Sequence, residues 1–182
     1  MRAWFSLPNL FTLARLLLVP AIVWEIWHRH AFAALALFAA AATTDIIDGY
    51  LARHFRMATP GGAFLDPIAD KALLSGVFLA LALAGDVPWW LVAVIFGRDI
   101  LILLASAIAL KFTKLRAFPP SLWGKASTFF QILTAVGFLG RNTFAWPILI
   151  AFSSVIIWPT LALTVWSAVD YGWQGIRRLR MH

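Results

Sequence analysis

Residues 31–52 read AFAALALFAAAATTDIIDGYLA, an apolar run long enough to cross a bilayer that ends in two aspartates three positions apart. Farther along, residues 62–71 read GAFLDPIADK and carry two more aspartates, four positions apart. Residues three or four apart lie on one face of a helix, so each pair presents its two carboxylates together. A short connection between the two helices brings the two pairs close. The chain has only 8 acidic residues, so this clustering points to a site.

The composition around this stretch is that of a membrane protein. Hydrophobic residues make up 62% of the 182-residue chain and charged residues 13%, which leaves too little polar surface for a soluble domain. The absence of cysteine excludes disulfides and thiolate metal sites, so any metal must be held by oxygen or imidazole ligands. We expect one integral membrane domain over residues 1–182.

Six apolar segments bounded by charges, proline or glycine predict an all-α bundle of six transmembrane helices. The predicted spans cover residues 8–27, 31–52, 63–84, 88–110, 122–140 and 145–170. Between the third and fourth spans, Gly85, Asp86 and Pro88 predict a tight turn.

Basic residues are distributed asymmetrically between the two sides of this bundle. One side carries Arg2, Arg53, Arg56, Lys71, Lys111, Lys114, Arg116, Lys125, Arg177, Arg178 and Arg180. The opposite loops carry only Arg29 and Arg141. Because basic loops stay in the cytosol, we predict that both termini and the aspartates face the cytosol.

The four aspartates are Asp45, Asp48, Asp66 and Asp70. Each charged side chain costs about 2.5 to 3.5 kcal/mol near the centre of a membrane helix, so four carboxylates together call for a compensating cation. Oxygen ligands suit Mg²⁺ or Mn²⁺, as one ion or two, and such ions bridge phosphates. Two alternatives stay open on these grounds. The aspartates are loop acids paired with nearby basic residues, or they line the pathway of a cation or proton transporter.

The full spacing is more specific than the charges. It resembles, at all eight positions, the signature of the CDP-alcohol phosphatidyltransferase family: Asp45-x-x-Asp48-Gly49-x-x-Ala52-Arg53, eight residues, then Gly62-x-x-x-Asp66-x-x-x-Asp70. The likeness extends to three further motifs, which are Asn9-x-x-Thr12-x-x-Arg15, Gly97-Arg98-Asp99 and Gly124-Lys125-x-x-Thr128. The last span has no such motif.

The resemblance implies transfer of a phosphatidyl group from CDP-diacylglycerol to an alcohol, with CMP as the leaving group. It implies that Asp45, Asp48 and Asp66 bind metal, and that Asp70 is the general base and a further metal ligand. It also implies that the CDP moiety is bound by Gly49, Ala52, Arg53 and Gly62. A homodimer is a further implication of the resemblance.

Two acceptors fit the branch of the family that this chain is most similar to, the phosphatidylglycerophosphate synthases and the cardiolipin synthases. Glycerol 3-phosphate and phosphatidylglycerol are both anionic, so Arg98 and Lys125 are candidate acceptor-binding residues for either. Two elements resemble the cardiolipin synthase branch slightly more, which favours phosphatidylglycerol, because a glycerophosphate synthase is expected to have Arg-Glu at residues 98 and 99. They are Gly97-Arg98-Asp99 and Pro120-Ser121-Leu122-Trp123-Gly124-Lys125. Two structural interpretations stay open, an ion pair of Arg98 with an aspartate and a boundary anchor at Lys125.

The partners expected from this interpretation are the CDP-lipid, an anionic alcohol or lipid acceptor and the surrounding membrane lipids, without nucleic acid. We expect a bacterial plasma membrane, because no organellar presequence precedes the first predicted span.

Overall fold

A computed structural model describes the backbone of residues 7–54, 60–112 and 121–179, and the side chains of residues 12–45, 47, 68–104 and 121–174. Over these ranges the chain forms six α-helices and no strand. They are α1 (Leu7–Trp27), α2 (Ala31–His54), α3 (Pro60–Leu83), α4 (Trp89–Phe112), α5 (Leu122–Phe144) and α6 (Pro147–Leu179). The predicted all-α class and the six helices are confirmed.

The helix bounds agree with the predicted spans to within four residues, except at the end of α6. That helix continues nine residues past the predicted boundary at residue 170, to Leu179. A hydropathy boundary marks where apolar sequence ends, whereas a helix continues as long as its backbone hydrogen bonds do. Arg177 and Arg178 also favour a helix C-terminus, where positive charge complements the helix dipole.

The chain divides into two packed units. The first comprises residues 1–86 and 139–145, and the second comprises residues 87–138 and 146–182. Helix α5 therefore contributes its last turns to the first unit and the rest of its length to the second. The expectation of one domain over residues 1–182 stays a prediction.

In the first unit α1 packs along both α2 and α3. Its buried residues are spaced by three, seven and four positions, at Thr12, Arg15, Ile22 and Ile26, which places them on one face. At Gly76 of α3, an added Cβ atom would lie 2.9 Å from a methyl group of Val19. The missing side chain thus allows close approach of two helices, and interfaces between membrane helices are enriched in small residues for this reason.

In the second unit α4 packs on α6, and α6 has its polarity reversed relative to a soluble helix. Its buried positions include Ser153, Thr160, Thr164 and Ser167, each 0% exposed. Most of its exposed positions are large and apolar, and they include Ile148, Val155, Trp158, Val165, Trp166 and Val169. Polar side chains inside and apolar side chains outside are typical of a helix surrounded by lipid.

Among the described residues, α6 is the one helix that is long and apolar enough to cross a membrane. The qualifying segment is Pro147–Gln174, with a mean hydropathy of 2.2, and a shorter apolar segment is Ala31–Asp45. The six-span topology and the cytosolic termini stay predictions.

One end of the first unit is held by Asp86, in the predicted turn between α3 and α4. Its carboxylate accepts hydrogen bonds from Arg29 Nη1 at 3.1 and 3.0 Å and from Asn142 Nδ2 at 2.8 Å, and Arg141 Nη2 lies 3.6 Å away. Arg29 Nη2 also donates to the carbonyl oxygen of Ala84. The α1–α2 turn, the α3–α4 turn and the end of α5 therefore meet, around a cavity of about 170 Å³. This grouping agrees with the predicted placement of Arg29 and Arg141 on one side.

Two residues at this end have left-handed backbone conformations that side chains disfavour. Arg29 has φ of 61° and Ala145 has φ of 51°, while Gly85 takes the same region, φ 79°, without strain. Arg29 follows the end of α1, where the amide of His30 closes the turn on the carbonyl of Glu25. The strained backbone at Arg29 places its guanidinium on Asp86, whereas the exposed methyl group of Ala145 cannot form a hydrogen bond or an ion pair to offset its strain.

We therefore expect Ala145→Gly and Arg29→Gly to differ. The first should raise the free energy of unfolding by about 0.5–1 kcal/mol, because glycine adopts a positive φ without steric cost. The second gains the same relief but loses the Asp86 contacts, so its stability should not rise. Unfolding temperatures of the two variants in detergent micelles provide the measurement. An equal rise in both would show that the Arg29–Asp86 pair contributes nothing.

Candidate active site

A buried arginine joins two of the four predicted site aspartates. Arg15 on α1 is 0% exposed, and its two terminal nitrogens make separate ion pairs. Nη2 lies 2.9 Å from Oδ1 of Asp45 on α2, and Nη1 lies 2.5 Å from Oδ1 of Asp70 on α3. Three helices therefore meet at one guanidinium, and the two predicted carboxylate pairs are brought together through one member of each.

The position of Arg15 follows from the packing of α1. The residue lies on the buried face of α1, one turn after Thr12, and that face contacts both α2 and α3. The planar guanidinium presents several N–H donors in a fixed fork, so a single arginine can bind two carboxylates at once. A lysine ammonium has no such fork. The geometry therefore explains why the polar position at residue 15 is arginine.

Electrostatics makes this contact obligatory for the fold of the first unit. A charge removed from water without a partner costs several kcal/mol, and Arg15 is fully buried. The two carboxylates keep 47% and 46% of their side-chain surface exposed, so they remain accessible while they hold the arginine. An accessible carboxylate pair beside the buried guanidinium of Arg15 is a suitable site for a charged ligand.

The other predicted residues of the aspartate site have described backbones but not described side chains. Asp48, Gly49, Ala52 and Arg53 are part of α2 after Asp45, and Gly62 and Asp66 are part of α3 before Asp70. Their side chains lie outside the described residues, and their roles stay predictions.

The donor set fits a hard divalent cation. Asp45 and Asp70 offer carboxylate oxygens, which Mg²⁺ and Mn²⁺ prefer, and they converge from two helices with about half of their surface open. Within the side chains that the structure describes, no group of three acidic or histidine residues gathers. A complete ligand set would therefore need Asp48 and Asp66, the residues that the sequence predicts.

A second polar site lies in the second unit and is centred on Arg98 of α4, which is 7% exposed. Its Nη1 donates to Asp99 Oδ1 at 2.7 Å, which confirms the predicted possibility of an ion pair with an aspartate. Ser167 of α6 accepts from Nη2 at 2.8 Å and from Nε at 3.3 Å. The ring of Tyr171 lies 5.7 Å from the guanidinium carbon. Three of the five guanidinium N–H groups are thereby used.

Lys125, the other predicted acceptor-binding residue, is exposed near the start of α5. Its backbone amide donates to the carbonyl of Ser121 at 3.1 Å in the first turn of the helix. Its ammonium has no hydrogen-bond partner among the described residues. The structure thus leaves both interpretations of Lys125 open to experiment.

Sequence reasoning missed three residues of these sites. Arg15 was noted only as part of a motif, although a charged residue on an apolar helix is itself a signal of function. Ser167 and Tyr171 had no signal, because α6 carries no motif and a single serine or tyrosine in an apolar segment is common. Their importance appears only when α6 is packed against α4.

Large apolar side chains on the outside, together with buried arginines such as Arg15 and Arg98, are typical of membrane proteins with a buried polar site. Comparison of the sequence with models of known protein families identifies the family within that class. The model of the CDP-alcohol phosphatidyltransferase family matches residues 5–166, and the chain belongs to this family. It is therefore an enzyme of phosphatidyl transfer and a membrane-associated protein.

Three relatives of this chain have three different names. A probable phosphatidylglycerophosphate synthase of Mycobacterium tuberculosis is 36% identical over 94% of this chain and 82% of its own. A CDP-diacylglycerol–glycerol-3-phosphate 3-phosphatidyltransferase of Pseudomonas fluorescens is 36% identical over 91% of this chain and 88% of its own. A putative cardiolipin synthase of Mycobacterium bovis is 32% identical over 92% of this chain and 78% of its own.

We expect Arg15→Met to lower the free energy of unfolding by about 1–3 kcal/mol. The estimate is below the usual cost of breaking a fully buried pair, because the two carboxylates are half exposed. Adding Asp45→Asn should recover part of the loss, since one fewer carboxylate then lacks a partner. Urea or thermal unfolding in micelles measures the four members of this double-mutant cycle.

The matched control is Arg29→Met, which removes an arginine that also pairs with an aspartate but is 60% exposed. Its cost should stay below about 1 kcal/mol. Equal costs for Arg15→Met and Arg29→Met, or strict additivity in the cycle, would contradict a structural role for the buried bridge.

Proposed function

We propose that this enzyme transfers the phosphatidyl group of CDP-diacylglycerol to an anionic glycerol-type alcohol and releases CMP. The observation that carries the proposal is the convergence of Asp45 and Asp70 on Arg15. These two aspartates belong to the two halves of the family signature, and the structure brings the halves together across three helices. Family membership supplies the reaction class, and this geometry supports the aspartates as its site.

The roles of the individual residues follow from their chemistry. Asp45, Asp48, Asp66 and Asp70 would hold one or two Mg²⁺ or Mn²⁺ ions, with Gly49, Ala52, Arg53 and Gly62 lining the CDP pocket. A bound divalent cation offsets the negative charge of the diphosphate and of the departing CMP. Arg15 binds Asp45 and Asp70 from the buried face of α1 and holds them in fixed positions. Neither carboxylate therefore needs to reorganise when substrate binds.

Asp70 is the proposed general base. Its carboxylate is 46% exposed, which leaves room for an acceptor hydroxyl to approach within hydrogen-bond distance. The hydroxyl oxygen then attacks the phosphorus that bears the diacylglycerol, its proton passes to Asp70, and the bond to CMP breaks. No nucleophilic side chain is needed in this direct displacement.

Phosphatidylglycerol is the acceptor that we propose, which would make the enzyme a cardiolipin synthase. Gly97-Arg98-Asp99 favours it, and a cardiolipin synthase is among the relatives. Glycerol 3-phosphate is the second candidate, supported by relatives named for that reaction over nearly the whole chain. Arg98 and Lys125 would bind the acceptor phosphate in either case.

The proposed setting is the plasma membrane of a bacterium, with six spans, both termini and the active site on the cytosolic side, and a single domain over residues 1–182. The apolar outer face of α6 and the basic asymmetry of the loops support this placement. A homodimer is proposed from the family resemblance.

The purified protein should release CMP when it is given CDP-diacylglycerol, Mg²⁺ or Mn²⁺ and an acceptor. Thin-layer chromatography or mass spectrometry of the lipid product then distinguishes the acceptors. Cardiolipin formed from phosphatidylglycerol supports the first proposal, and phosphatidylglycerophosphate formed from glycerol 3-phosphate supports the second. A protein that releases no CMP with either acceptor would contradict both.

Asp70→Asn should abolish transfer, with a loss of at least about 100-fold in kcat, because asparagine cannot take the acceptor proton. Asp45→Asn should instead raise the metal concentration needed for half-maximal activity. Asp86→Asn is the matched control, since it changes an aspartate at the opposite end of the first unit. Full activity of Asp70→Asn would remove that residue from the base role.

A further inference from the structure

Arg98 is held from one side by the last helix of the chain, which has no sequence motif of the family. Ser167 Oγ accepts hydrogen bonds from both Nε and Nη2 of Arg98, at 3.3 and 2.8 Å. The ring of Tyr171, one turn farther along α6, lies 5.7 Å from the guanidinium carbon, within the range of a cation–π contact. Ser167 is 0% exposed, so water does not compete for these bonds.

The start of α5 completes the arrangement. The hydroxyl oxygen of Tyr171 accepts a hydrogen bond from the backbone amide of Ser121 at 3.1 Å, and Ser121 Oγ accepts one from the amide of Gly124 at 3.0 Å. A Cβ atom at Gly124 would lie 3.0 Å from the Tyr171 hydroxyl and 3.2 Å from Arg98 Nη2. A side chain at this position would therefore require the tyrosine or the arginine to move by a few tenths of an ångström.

These contacts determine which guanidinium donors remain for a ligand. Ser167 takes one N–H of Nε and one of Nη2, and Asp99 takes one of Nη1. One N–H on each terminal nitrogen is left without a partner among the described residues. Two donors on adjacent nitrogens of a planar group match two oxygens of one phosphate.

We propose that Ser167 and Tyr171 are positioning residues, which orient the guanidinium of Arg98 so that its two remaining donors bind the acceptor phosphate. This proposal rests on the proposed function, because it assigns Arg98 to the acceptor. Ser167 and Tyr171 act through Arg98 and do not touch the reacting atoms. Their loss therefore weakens acceptor binding and leaves the chemical step intact.

The test is steady-state kinetics of Ser167→Ala, with acceptor and CDP-diacylglycerol varied separately. The acceptor KM should rise roughly 10-fold, the scale expected when a charged group loses its hydrogen-bond partner. Both kcat and the KM for CDP-diacylglycerol should stay within about 2-fold of wild type. Tyr171→Leu should raise the acceptor KM about 2- to 5-fold through loss of the cation–π contact, and Tyr171→Phe should raise it less because the ring remains.

Two control variants separate positioning from general damage. Ser153→Ala removes another fully buried α6 hydroxyl, one that donates to the carbonyl of Ile150 on its own helix, and should leave all three constants unchanged. Gly124→Ala should raise the acceptor KM, whereas Gly172→Ala should not, because a Cβ added at Gly172 would point into open space beside its own helix. Unfolding temperatures within a few degrees of wild type establish that each variant is folded.

The outcomes separate the two proposals. A wild-type protein that releases no CMP overturns the reaction and, with it, any role of Ser167 and Tyr171 in the reaction. An active wild type whose Ser167→Ala and Tyr171→Leu variants keep the acceptor KM overturns the positioning role alone. An equal fall in kcat with both substrates, without a change in the acceptor KM, also overturns it.

Discussion

Arg15 is the residue on which the first unit depends, because a fully buried guanidinium must be paired. Its two terminal nitrogens bind Asp45 and Asp70, and this requirement aligns α1, α2 and α3 at one level of the bundle. From Arg15 to Trp27, the end of α1, is about 18 Å along the helix axis at 1.5 Å per residue. The aspartate site and the Asp86 contacts therefore lie toward opposite ends of the unit, and each end is held by arginine–aspartate pairing.

In the second unit the buried polar groups are also paired, but mostly with other side-chain types. Its buried polar groups are mostly hydroxyls, which hydrogen-bond across α5 and α6, as Ser127 does with Thr164 at 3.1 Å and Thr134 with Thr160 at 2.7 Å. Neutral pairs of this kind stabilise helix association modestly in lipid, where there is no hydrophobic driving force between helices. Arg98 is the charged member of this buried set, and it is surrounded by a carboxylate, a hydroxyl and an aromatic ring. Arg98, the residue that is proposed to bind a substrate, thus has three different kinds of side-chain contact.

Much of the architecture could be predicted because hydropathy and helix length are local properties. Five of the six helices begin and end within four residues of the predicted spans, and α6 differs only where its polar end continues the helix. The aspartate pairs were equally predictable, since spacing alone places two side chains on one helix face. The partner of those aspartates was not predictable, because nothing in the spacing indicates that Arg15, thirty positions before Asp45, is their neighbour. The contacts of Arg98 with Ser167 and Tyr171 were hidden for the same reason.

The sequence by itself determined the class of the fold, the acidic signature and the family, all of which depend on residue type and on separations of a few residues. Tertiary structure alone decided which charges meet. It placed Arg15 between two carboxylates, Arg29 on Asp86, and Arg98 against α6. The physical reason is that a charge must find its partner in three dimensions, and packing, which joins residues distant in sequence, selects that partner.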